Sequence, residues 1–268
     1  MLFAVKKVHL DTIYMMQPYF EENGIAVYHG DCREVLKELP ANSVDCVITS
    51  PPYNADKKYK DSQDDNLPIP EYFEFINNVA SNLHRVSRPG AFALWNVCMW
   101  CGSRPKYFMV TDFLSNIGKA GWVFTDWITW VKGSIAAPES NTTAWGNYPT
   151  TPSIRNAVEP ILVFRKAGGK PRPISDITWK EWAKYTIGVW DFPPQHNQKL
   201  HPARFPLELP TRAAKMYSAP GETILDPFAG SGTTLEAAKS LGRKAIGIEL
   251  GKEYCEGMRT RLSQAVML

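Results

Sequence analysis

A four-residue loop carries the first side chains that could do chemistry. Ser50, Pro51, Pro52 and Tyr53 follow directly after the apolar run Val44–Thr49. Two successive prolines fix the backbone and remove two N–H donors, so the loop carbonyls and the Ser50 hydroxyl stay free to accept hydrogen bonds. Such acceptors suit an amino group conjugated to a ring, because accepting both N–H bonds pulls the nitrogen toward a tetrahedral, nucleophilic form. Tyr53 could stack on that ring. The alternative interpretation is a plain strand-ending turn.

A glycine-rich turn, Asp226–Thr234, carries the second group of such residues. Gly230 and Gly232 would let the backbone turn sharply and approach a ligand, and the helix that follows offers unpaired N–H groups to a polar or anionic moiety. A P-loop is excluded because that motif needs a lysine before its Ser or Thr, whereas Thr233 follows Gly232 directly. A dinucleotide fingerprint is excluded because Leu235 stands where a third glycine is required.

A carboxylate further along the chain indicates what the turn could bind. Glu249 ends the next apolar run, Ala245–Ile248. A carboxylate at the end of the strand after a glycine turn can accept hydrogen bonds from both hydroxyls of a ribose. The strand, the turn, the helix and the terminal acid together predict a nucleoside site.

These residues need a sheet to bring them together. Apolar runs of strand length predict five buried strands, at Ile25–His29, Val44–Thr49, Ala91–Val97, Thr223–Leu225 and Ala245–Ile248. Helical patterns lie between them, at Cys32–Glu38, at Glu71–Val86 before the helix-stopping run Arg88-Pro89-Gly90, and at Thr233–Leu241. Strands that alternate with helices predict an α/β fold with a doubly wound, mostly parallel sheet. Phe124–Val131 and Ile161–Phe164 predict two further strands, antiparallel and at the sheet edge.

The charge of the chain is unevenly distributed. The whole sequence has 30 Lys and Arg against 27 Asp and Glu, but the segment from Arg155 to Lys215 has 11 basic and 5 acidic residues. This segment is also rich in Pro, Gly and Trp, as expected of a loop-rich recognition region. A polyanion would be attracted to it. The alternative is a solvated surface that happens to be basic.

Composition bounds the class of protein. With 268 residues, 44% of them hydrophobic and 21% charged, the chain can bury one large core, and intrinsic disorder is excluded. It has no apolar run near the roughly 20 residues that span a bilayer, and Lys6, Lys7 and His9 stand where a signal peptide would be apolar. Five cysteines, an odd number, suit reduced thiols, so we expect a cytoplasmic protein without membrane contact. The Cys98–Cys101 pair has no second pair beside it, and no metal site is predicted.

The two motifs resemble those of a known family, the amino-group DNA methyltransferases that use S-adenosylmethionine, in the permuted order called the beta class. In that family a Ser/Asp-Pro-Pro-Tyr motif precedes an Asp-Pro-Phe-x-Gly-Ser-Gly-Thr-Thr motif, as Ser50–Tyr53 precedes Asp226–Thr234 here. His29-Gly30-Asp31-Cys32 is similar to the family's acidic contact to the cofactor, and His201–Pro206 is similar to its block beside the methionine moiety. The resemblance covers nearly the whole chain.

The resemblance implies a role for each matching residue. Phe228 would pack on the adenine of the cofactor, Asp31 would meet its amino group, and Glu249 would bind the ribose. The implied cofactor site consists of Asp31, Cys32, His201, Pro202, Asp226, Phe228, Gly230, Ser231, Gly232, Thr233, Thr234 and Glu249. The target base would be held by Ser50, Pro51, Pro52 and Tyr53. The implied DNA contacts, drawn from the basic segment, are Arg155, Arg165, Lys166, Lys170 and Arg172.

The resemblance also implies an organisation and a reaction. The fold would be Rossmann-like, with a catalytic part at 1–132, an inserted target-recognition region at 133–200 and a cofactor-binding part at 201–268. The enzyme would methylate an exocyclic amine of a flipped base in double-stranded DNA, and Ser50 favours cytosine N4 over the alternative, adenine N6. Methylation of RNA or of a protein amide stays open as well, as does a nucleic-acid-binding protein without turnover. A homodimer and a cognate restriction endonuclease are further partners that the resemblance implies.

Overall fold

The computed structural model describes residues 17–55, 66–101, 107–132, 157–169, 176–194 and 205–264. The strands in these ranges are β1 (Phe20–Glu22), β2 (Ile25–His29), β3 (Val44–Thr49), β4 (Ser87–Asn96), β5 (Trp100–Cys101), β6 (Tyr107–Phe108), β7 (Trp122–Val131), β8 (Val158–Lys166), β9 (Val189–Asp191), β10 (Thr223–Asp226) and β11 (Lys244–Glu249). The helices are α1 (Cys32–Glu38), α2 (Ile69–Val86), α3 (Val110–Lys119), α4 (Trp179–Tyr185), α5 (Glu208–Tyr217), α6 (Thr233–Ser240) and α7 (Lys252–Gln264).

Nine of the described strands form one sheet in the order β1-β2-β11-β10-β3-β4-β8-β7-β9. The neighbours from β2 through β4 are all parallel. Strand β8 is antiparallel to both β4 and β7, and β9 pairs parallel with β7. The predicted α/β fold with a doubly wound, mostly parallel sheet is therefore confirmed. The two further strands predicted as antiparallel are β7 and β8. They do not lie at the edge, because β9 pairs with β7 and is the outermost strand.

Helices cover both faces of the sheet, which explains why the central strands are apolar on both sides. One core contains buried side chains of α1, α2 and α3, and the other contains those of α5, α6 and α7. Neighbouring residues of one strand alternate between the two cores, as Val47 does with Cys46 and Leu225 does with Ile224.

Local signals explain most of the boundaries near the site. Asp31 caps α1 by accepting a hydrogen bond from the Arg33 N–H at 2.8 Å, so α1 begins where it was expected. Helix α2 ends at Val86 as predicted, although the run after it does not form a separate loop. Strand β4 begins at Ser87 and runs through Arg88-Pro89-Gly90, since the residue before a proline favours extended backbone.

The predicted recognition region, 133–200, contributes to the main sheet. Strands β8 and β9 both lie within that range and pair with β4 and β7. The boundary at 132 therefore falls between two strands of one sheet. A separate lobe stays a prediction for residues 133–156, 170–175 and 195–200, which lie outside the described residues. None of the helices in the described ranges is long and apolar enough to cross a membrane.

Candidate active site

The carboxyl ends of five parallel strands meet at one edge of the sheet. In sheet order, β2 leads to Asp31, β11 ends at Glu249, β10 ends at Asp226, β3 leads to Ser50 and β4 ends at Asn96. Ligands of open α/β sheets bind outside the carboxyl ends of the strands. The predicted cofactor residues and the predicted target-base loop thus lie side by side along the same edge.

Beyond β4, the antiparallel strands β8 and β7 add residues at this same end of the sheet. Strand β8 runs in the opposite direction, so its first residues, including Glu159, lie beside the end of β4, where Asn96 pairs with Ile161. Strand β7 ends at Val131, and Lys132 follows it there, beside Glu159. Sequence reasoning assigned no role to Glu159 or Lys132. The sequence signal is the run Asn156–Glu159, directly before the apolar run Pro160–Phe164, which resembles a further block of the family but could be given no role.

Asp226 connects the two halves of the edge. It is 1% exposed, and its carboxylate accepts hydrogen bonds from the hydroxyls of Thr49 at 2.8 Å and Thr234 at 2.7 Å. The Phe228 N–H donates to it at 3.1 Å. Burial raises the pKa of Asp226 to about 6, and these three hydrogen bonds oppose the shift. Because Thr49 precedes Ser50 directly, Asp226 fixes the glycine turn to the Ser-Pro-Pro-Tyr loop.

Helix α7 packs against the glycine turn. Gly232 has φ +80°, and a Cβ on it would lie 2.7 Å from Cγ of Met258. Arg261 donates hydrogen bonds to the Ser231 carbonyl at 3.0 Å and to the Thr233 hydroxyl at 3.2 Å. The glycine at 232 is thus required by its left-handed backbone and by packing against α7. The expectation that it serves a close approach of ligand is not needed to explain it.

Glu249 presents a fixed carboxylate at the end of β11. It accepts hydrogen bonds from the N–H of Gly230 at 2.8 Å and of Gly251 at 2.7 Å, one on each oxygen. Burial is the largest cause that raises the pKa of Glu249 to about 7, and these N–H groups oppose it. A carboxylate oxygen has two lone pairs, so each oxygen keeps one for a further donor. Two hydroxyls on adjacent carbons are donors that fit this arrangement.

A chain of contacts joins Asp31 to Phe228. Asp31 forms an ion pair with Arg33, whose guanidinium lies 5.6 Å from the ring centre of Phe75. Phe75, on α2, lies 5.8 Å from the ring of Phe228. The hydrogen bonds from Arg33 are the main cause of a lowered pKa for Asp31, which keeps it an ionised acceptor. An acceptor beside aromatic rings suits an aminated heterocycle. The sequence had not singled out Arg33 or Phe75.

Three other predicted cofactor residues have side chains that are not exposed. Cys32, Thr233 and Thr234 are buried, with exposed fractions of 7%, 4% and 1%. The buried Cys32 thiol has a raised pKa and packs in the core with α1. His201 and Pro202 lie outside the described residues. Those predicted cofactor residues that the structure describes are brought together at the ends of β2, β10 and β11.

The target-base loop is held by hydrogen bonds on both sides. Tyr72, on α2, donates its hydroxyl to the Pro52 carbonyl at 2.7 Å. Asn54 has φ +52° and makes two hydrogen bonds with the backbone of Leu67, at 2.8 Å and 2.6 Å. These contacts anchor the far end of the loop, so Pro52 has a structural role in addition to its predicted place beside the base.

Tyr53 occupies the centre of a polar cluster. The Ser50 hydroxyl lies 3.1 Å and Nδ2 of Asn96 lies 2.8 Å from the Tyr53 oxygen. The Tyr53 hydroxyl is 3.1 Å from Oε2 of Glu159, and Lys132 forms an ion pair with the other oxygen, Oε1. Burial, followed by the Glu159 charge, raises the pKa of Tyr53 well above its ordinary value, so the phenol keeps its proton.

The two described members of the predicted DNA-contact set lie elsewhere. Arg165 pairs with Phe92 in the middle of β4, and its guanidinium donates to the Gly168 carbonyl beyond the end of β8, on the side away from Ser50. The Lys166 ammonium donates to the carbonyls of His84 at 2.7 Å and Ser87 at 2.8 Å, where α2 ends. The structure does not bring these two residues to the site, and their role in DNA contact stays a prediction without structural support. Arg155, Lys170 and Arg172 lie outside the described residues.

The fold is that of a Rossmann-like α/β protein, and its candidate nucleoside site lies beside the Ser-Pro-Pro-Tyr loop. Comparison with known proteins gives the family. The family model described as a DNA methylase, N6_N4_Mtase, matches residues 44–260. The chain belongs to this family, and its resemblance to the amino-group DNA methyltransferases is confirmed.

Individual relatives are similar over most of the chain. Type II methyltransferase M.BglII of Bacillus subtilis is 29% identical over 245 residues, which cover 86% of this chain and 66% of M.BglII. This chain thus spans just under two thirds of the length of that relative. DNA adenine methyltransferase YhdJ of Escherichia coli K12 is 28% identical over 92% of this chain and 85% of YhdJ. The solved structure of TTHA0409 from Thermus thermophilus, complexed with S-adenosyl-L-methionine, is 29% identical. It has a TM-score of 0.72, covering 90% of this chain and 94% of that chain.

Proposed function

We propose that the protein is a DNA methyltransferase that moves a methyl group from S-adenosylmethionine to an exocyclic amine of a base. The observation that carries the proposal is the hydrogen bond of 2.8 Å between Thr49 and Asp226. It fixes the loop that would accept the amine beside the turn that would hold the methyl donor. Methyl transfer needs the two reactants in line and in contact, and holding them so accounts for much of the catalysis.

The residues at the ends of β2, β10 and β11 fit S-adenosylmethionine. Glu249 keeps one lone pair on each oxygen for the two ribose hydroxyls, and Asp31 offers an ionised acceptor to the adenine amino group. Phe228, half-buried beside Phe75, would pack on the adenine ring. The cofactor supplies an activated methyl group on a sulfonium. The complex of TTHA0409 with this cofactor supports the assignment.

The target amine would lie at Ser50 and the Pro51 carbonyl. Acceptors there draw both N–H bonds of the amine, which raises the electron density on its nitrogen. Duplex DNA hides this amine, so the base must first be flipped out of the stack at a cost of a few kcal/mol. A methyl group on a sulfonium already has a good leaving group. The reaction therefore needs no metal and no covalent bond to the protein.

We propose cytosine N4 as the methylated atom. The family resemblance supports it, because relatives whose loop begins with Ser mostly modify cytosine. Adenine N6 is the second candidate, and the similarity to YhdJ, named as a DNA adenine methyltransferase, favours it. Double-stranded DNA is the proposed partner. A homodimer and a cognate restriction endonuclease stay predictions from the resemblance.

The test uses the full chain with a cofactor that carries a labelled methyl group. Equal masses of double-stranded DNA, RNA and an unrelated protein are offered in parallel. We expect label only in DNA, and mass spectrometry of the digested DNA should then show N4-methylcytosine. N6-methyladenine alone would contradict the choice of base and leave the class of reaction standing. Label in RNA or protein but not in DNA would overturn the proposal. Ser50→Ala, with cofactor binding retained, is the control for a reaction at this site.

A further inference from the structure

A cluster of five polar side chains surrounds the loop that would accept the amine. It consists of Ser50 and Tyr53 from the loop, Asn96 from β4, Glu159 from β8 and Lys132 after β7. Of these five side chains, the methyltransferase reaction as proposed uses only that of Ser50. The side chains of Asn96 and Glu159 are almost wholly buried, with exposed fractions of 3% and 12%. A buried polar network this close to a reacting group controls how its hydrogen bonds are directed.

The direction of the hydrogen bonds at Tyr53 follows from the chemistry of three neighbours. A phenol has one proton and two lone pairs. Nδ2 of Asn96, at 2.8 Å, can only donate to the phenol oxygen, and the carboxylate of Glu159, at 3.1 Å, can only accept from it. The phenol proton therefore goes to Glu159. The Ser50 hydroxyl, at 3.1 Å, must then donate to the second lone pair of Tyr53.

The orientation of Ser50 has a direct consequence for the amine. With its single proton directed to Tyr53, the Ser50 oxygen can meet the target amine only through its lone pairs. A Ser50 proton directed at the amine would instead compete with the methyl group for the nitrogen lone pair. Lys132 contacts Oε1 of Glu159, while Tyr53 and Asn96 both contact Oε2. The lysine thus holds the charge of Glu159 and leaves Oε2 for the phenol.

We propose that Glu159, held by Lys132, is a positioning residue that keeps the Ser50 hydroxyl as a hydrogen-bond acceptor for the target amine by way of Tyr53. The proposal rests on the proposed function, because it assumes that Ser50 meets the amine that is methylated. It assigns to Glu159 an effect on the chemical step and none on cofactor binding, since Glu159 lies four strands away from Glu249 in the sheet order.

Glu159→Gln tests the direction of the network. The new amide must turn either its oxygen or its NH2 group toward Lys132, and the ammonium favours the oxygen. The NH2 group then faces both Tyr53 and Asn96. While Asn96 keeps donating to the phenol, Tyr53 accepts from both amides and turns its own proton toward Ser50. Ser50 would then direct its proton at the amine. We expect the single-turnover rate of methyl transfer to fall by about tenfold or more, the effect of one misdirected hydrogen bond. The Kd for S-adenosylmethionine should stay within about twofold.

A second substitution distinguishes an effect on the direction of the hydrogen bonds from a merely structural effect. In Glu159→Gln with Lys132→Met, the ammonium no longer selects the amide orientation, and the amide oxygen can return to Tyr53. We expect this double variant to be faster than Glu159→Gln alone by about threefold or more, roughly the effect of half a hydrogen bond. A merely structural role for the Lys132–Glu159 pair predicts a further loss. Glu181→Gln, which removes the carboxylate of another Lys–Glu pair, with Lys215, is the matched control with an unchanged rate.

The outcomes separate this inference from the proposed function. If the wild-type chain methylates no DNA, the proposed function fails. If the wild-type chain methylates DNA and Glu159→Gln does so at the same single-turnover rate, the positioning role is overturned. It is also overturned if Lys132→Met adds to the loss instead of relieving it. Glu159→Gln should further cost little in a Tyr53→Phe background, because the phenol that transmits its effect is absent.

Discussion

Glu249 is a buried carboxylate whose ionisation and ligand binding should be linked. Its pKa is raised to about 7 by burial, while ribose hydroxyls would donate to the ionised form and lower that pKa in the complex. Binding of S-adenosylmethionine should therefore release a proton below pH 7. The affinity should rise between about pH 6 and pH 8 and then level off, since the carboxylate is already ionised above its pKa in the free protein.

Glu249→Gln is the variant that isolates this effect. The amide does not titrate, so the variant should lack the rise that Glu249 causes, and at pH 8 its affinity should be weaker by about 1–3 kcal/mol. Titration calorimetry at several pH values measures both. The amino group of the cofactor titrates in the same range, but it is common to both proteins and cancels in the difference. The charge of Asp226 interacts with that of Glu249, so the affinities are compared at pH 8, where Asp226 is ionised in both proteins. Parallel pH curves for the two proteins would remove Glu249 from the ribose site.

Single residues show where sequence reasoning succeeded and where it ended. Ser50 and Tyr53 could be selected from the sequence because consecutive prolines restrict the loop whatever surrounds it. Glu159 could not, because its position beside Tyr53 depends on the register of β8 against β4. That register pairs segments more than sixty residues apart, and shifting it by one residue would turn Glu159 to the other face.

At the scale of elements, the packing of α7 against the glycine turn carries a prediction of its own. Gly232→Ala adds a methyl group 2.7 Å from Cγ of Met258, at a residue with φ +80°. We expect the free energy of unfolding to fall by about 1–2 kcal/mol for the left-handed backbone and by about 1–3 kcal/mol more for the overpacking. Urea unfolding measures the sum.

A second glycine separates these two contributions. Gly221 has φ +81°, and a Cβ there would meet nothing within 4 Å, so Gly221→Ala reports the backbone cost alone. Gly232→Ala should therefore be the more destabilising of the two. In a Met258→Ala background, Gly232→Ala should cost less than it does in the wild type, because the added methyl group then fills space that Met258 leaves. Equal losses at the two glycines would show that α7 does not constrain the turn.

The elements that the sequence predicted share strong local signals. Helix α1 begins at its N-cap residue Asp31, and the central strand β3 is mostly apolar and buried at every residue, as expected of a parallel strand covered on both faces. The helices that were not predicted are α3, α4, α5 and α7. Helix α4 has a local signal that was missed, the capping box of Thr178 with Glu181, whereas α3 and α5 begin without a side-chain cap. Helix α5 also contains Pro210 in its first turn. The helical state of α3, α5 and α7 depends more on packing against the sheet than on local sequence.

The candidate site lies at one end of the strands of the main sheet. The site occupies the edge where β3 and β10 end, so a DNA duplex that delivers a flipped base must approach that edge. Arg165 lies six residues beyond Glu159 on β8, about 20 Å away at the rise of an extended strand. The ammonium of its neighbour Lys166 is already used by two carbonyl oxygens at the end of α2. Charge along the sequence indicated a polyanion surface, but it could not indicate which edge of the sheet each charge reaches.

DNA binding in a series of salt concentrations tests this polarity. Replacing Arg165 and Lys166 by Gln should leave the slope of log affinity against log salt unchanged, because neither side chain reaches a phosphate from the opposite edge. The same double change should lower the free energy of unfolding by about 1 kcal/mol, since two carbonyls lose a charged donor. The comparison variant replaces Arg155, Lys170 and Arg172 by Gln, residues that the sequence alone assigns to DNA. For these we expect the slope to fall by about 0.9 for each phosphate that the variant no longer neutralises. A slope that falls on changing Arg165 and Lys166 would mean that DNA also follows the far edge of the sheet, as the basic sequence segment first indicated.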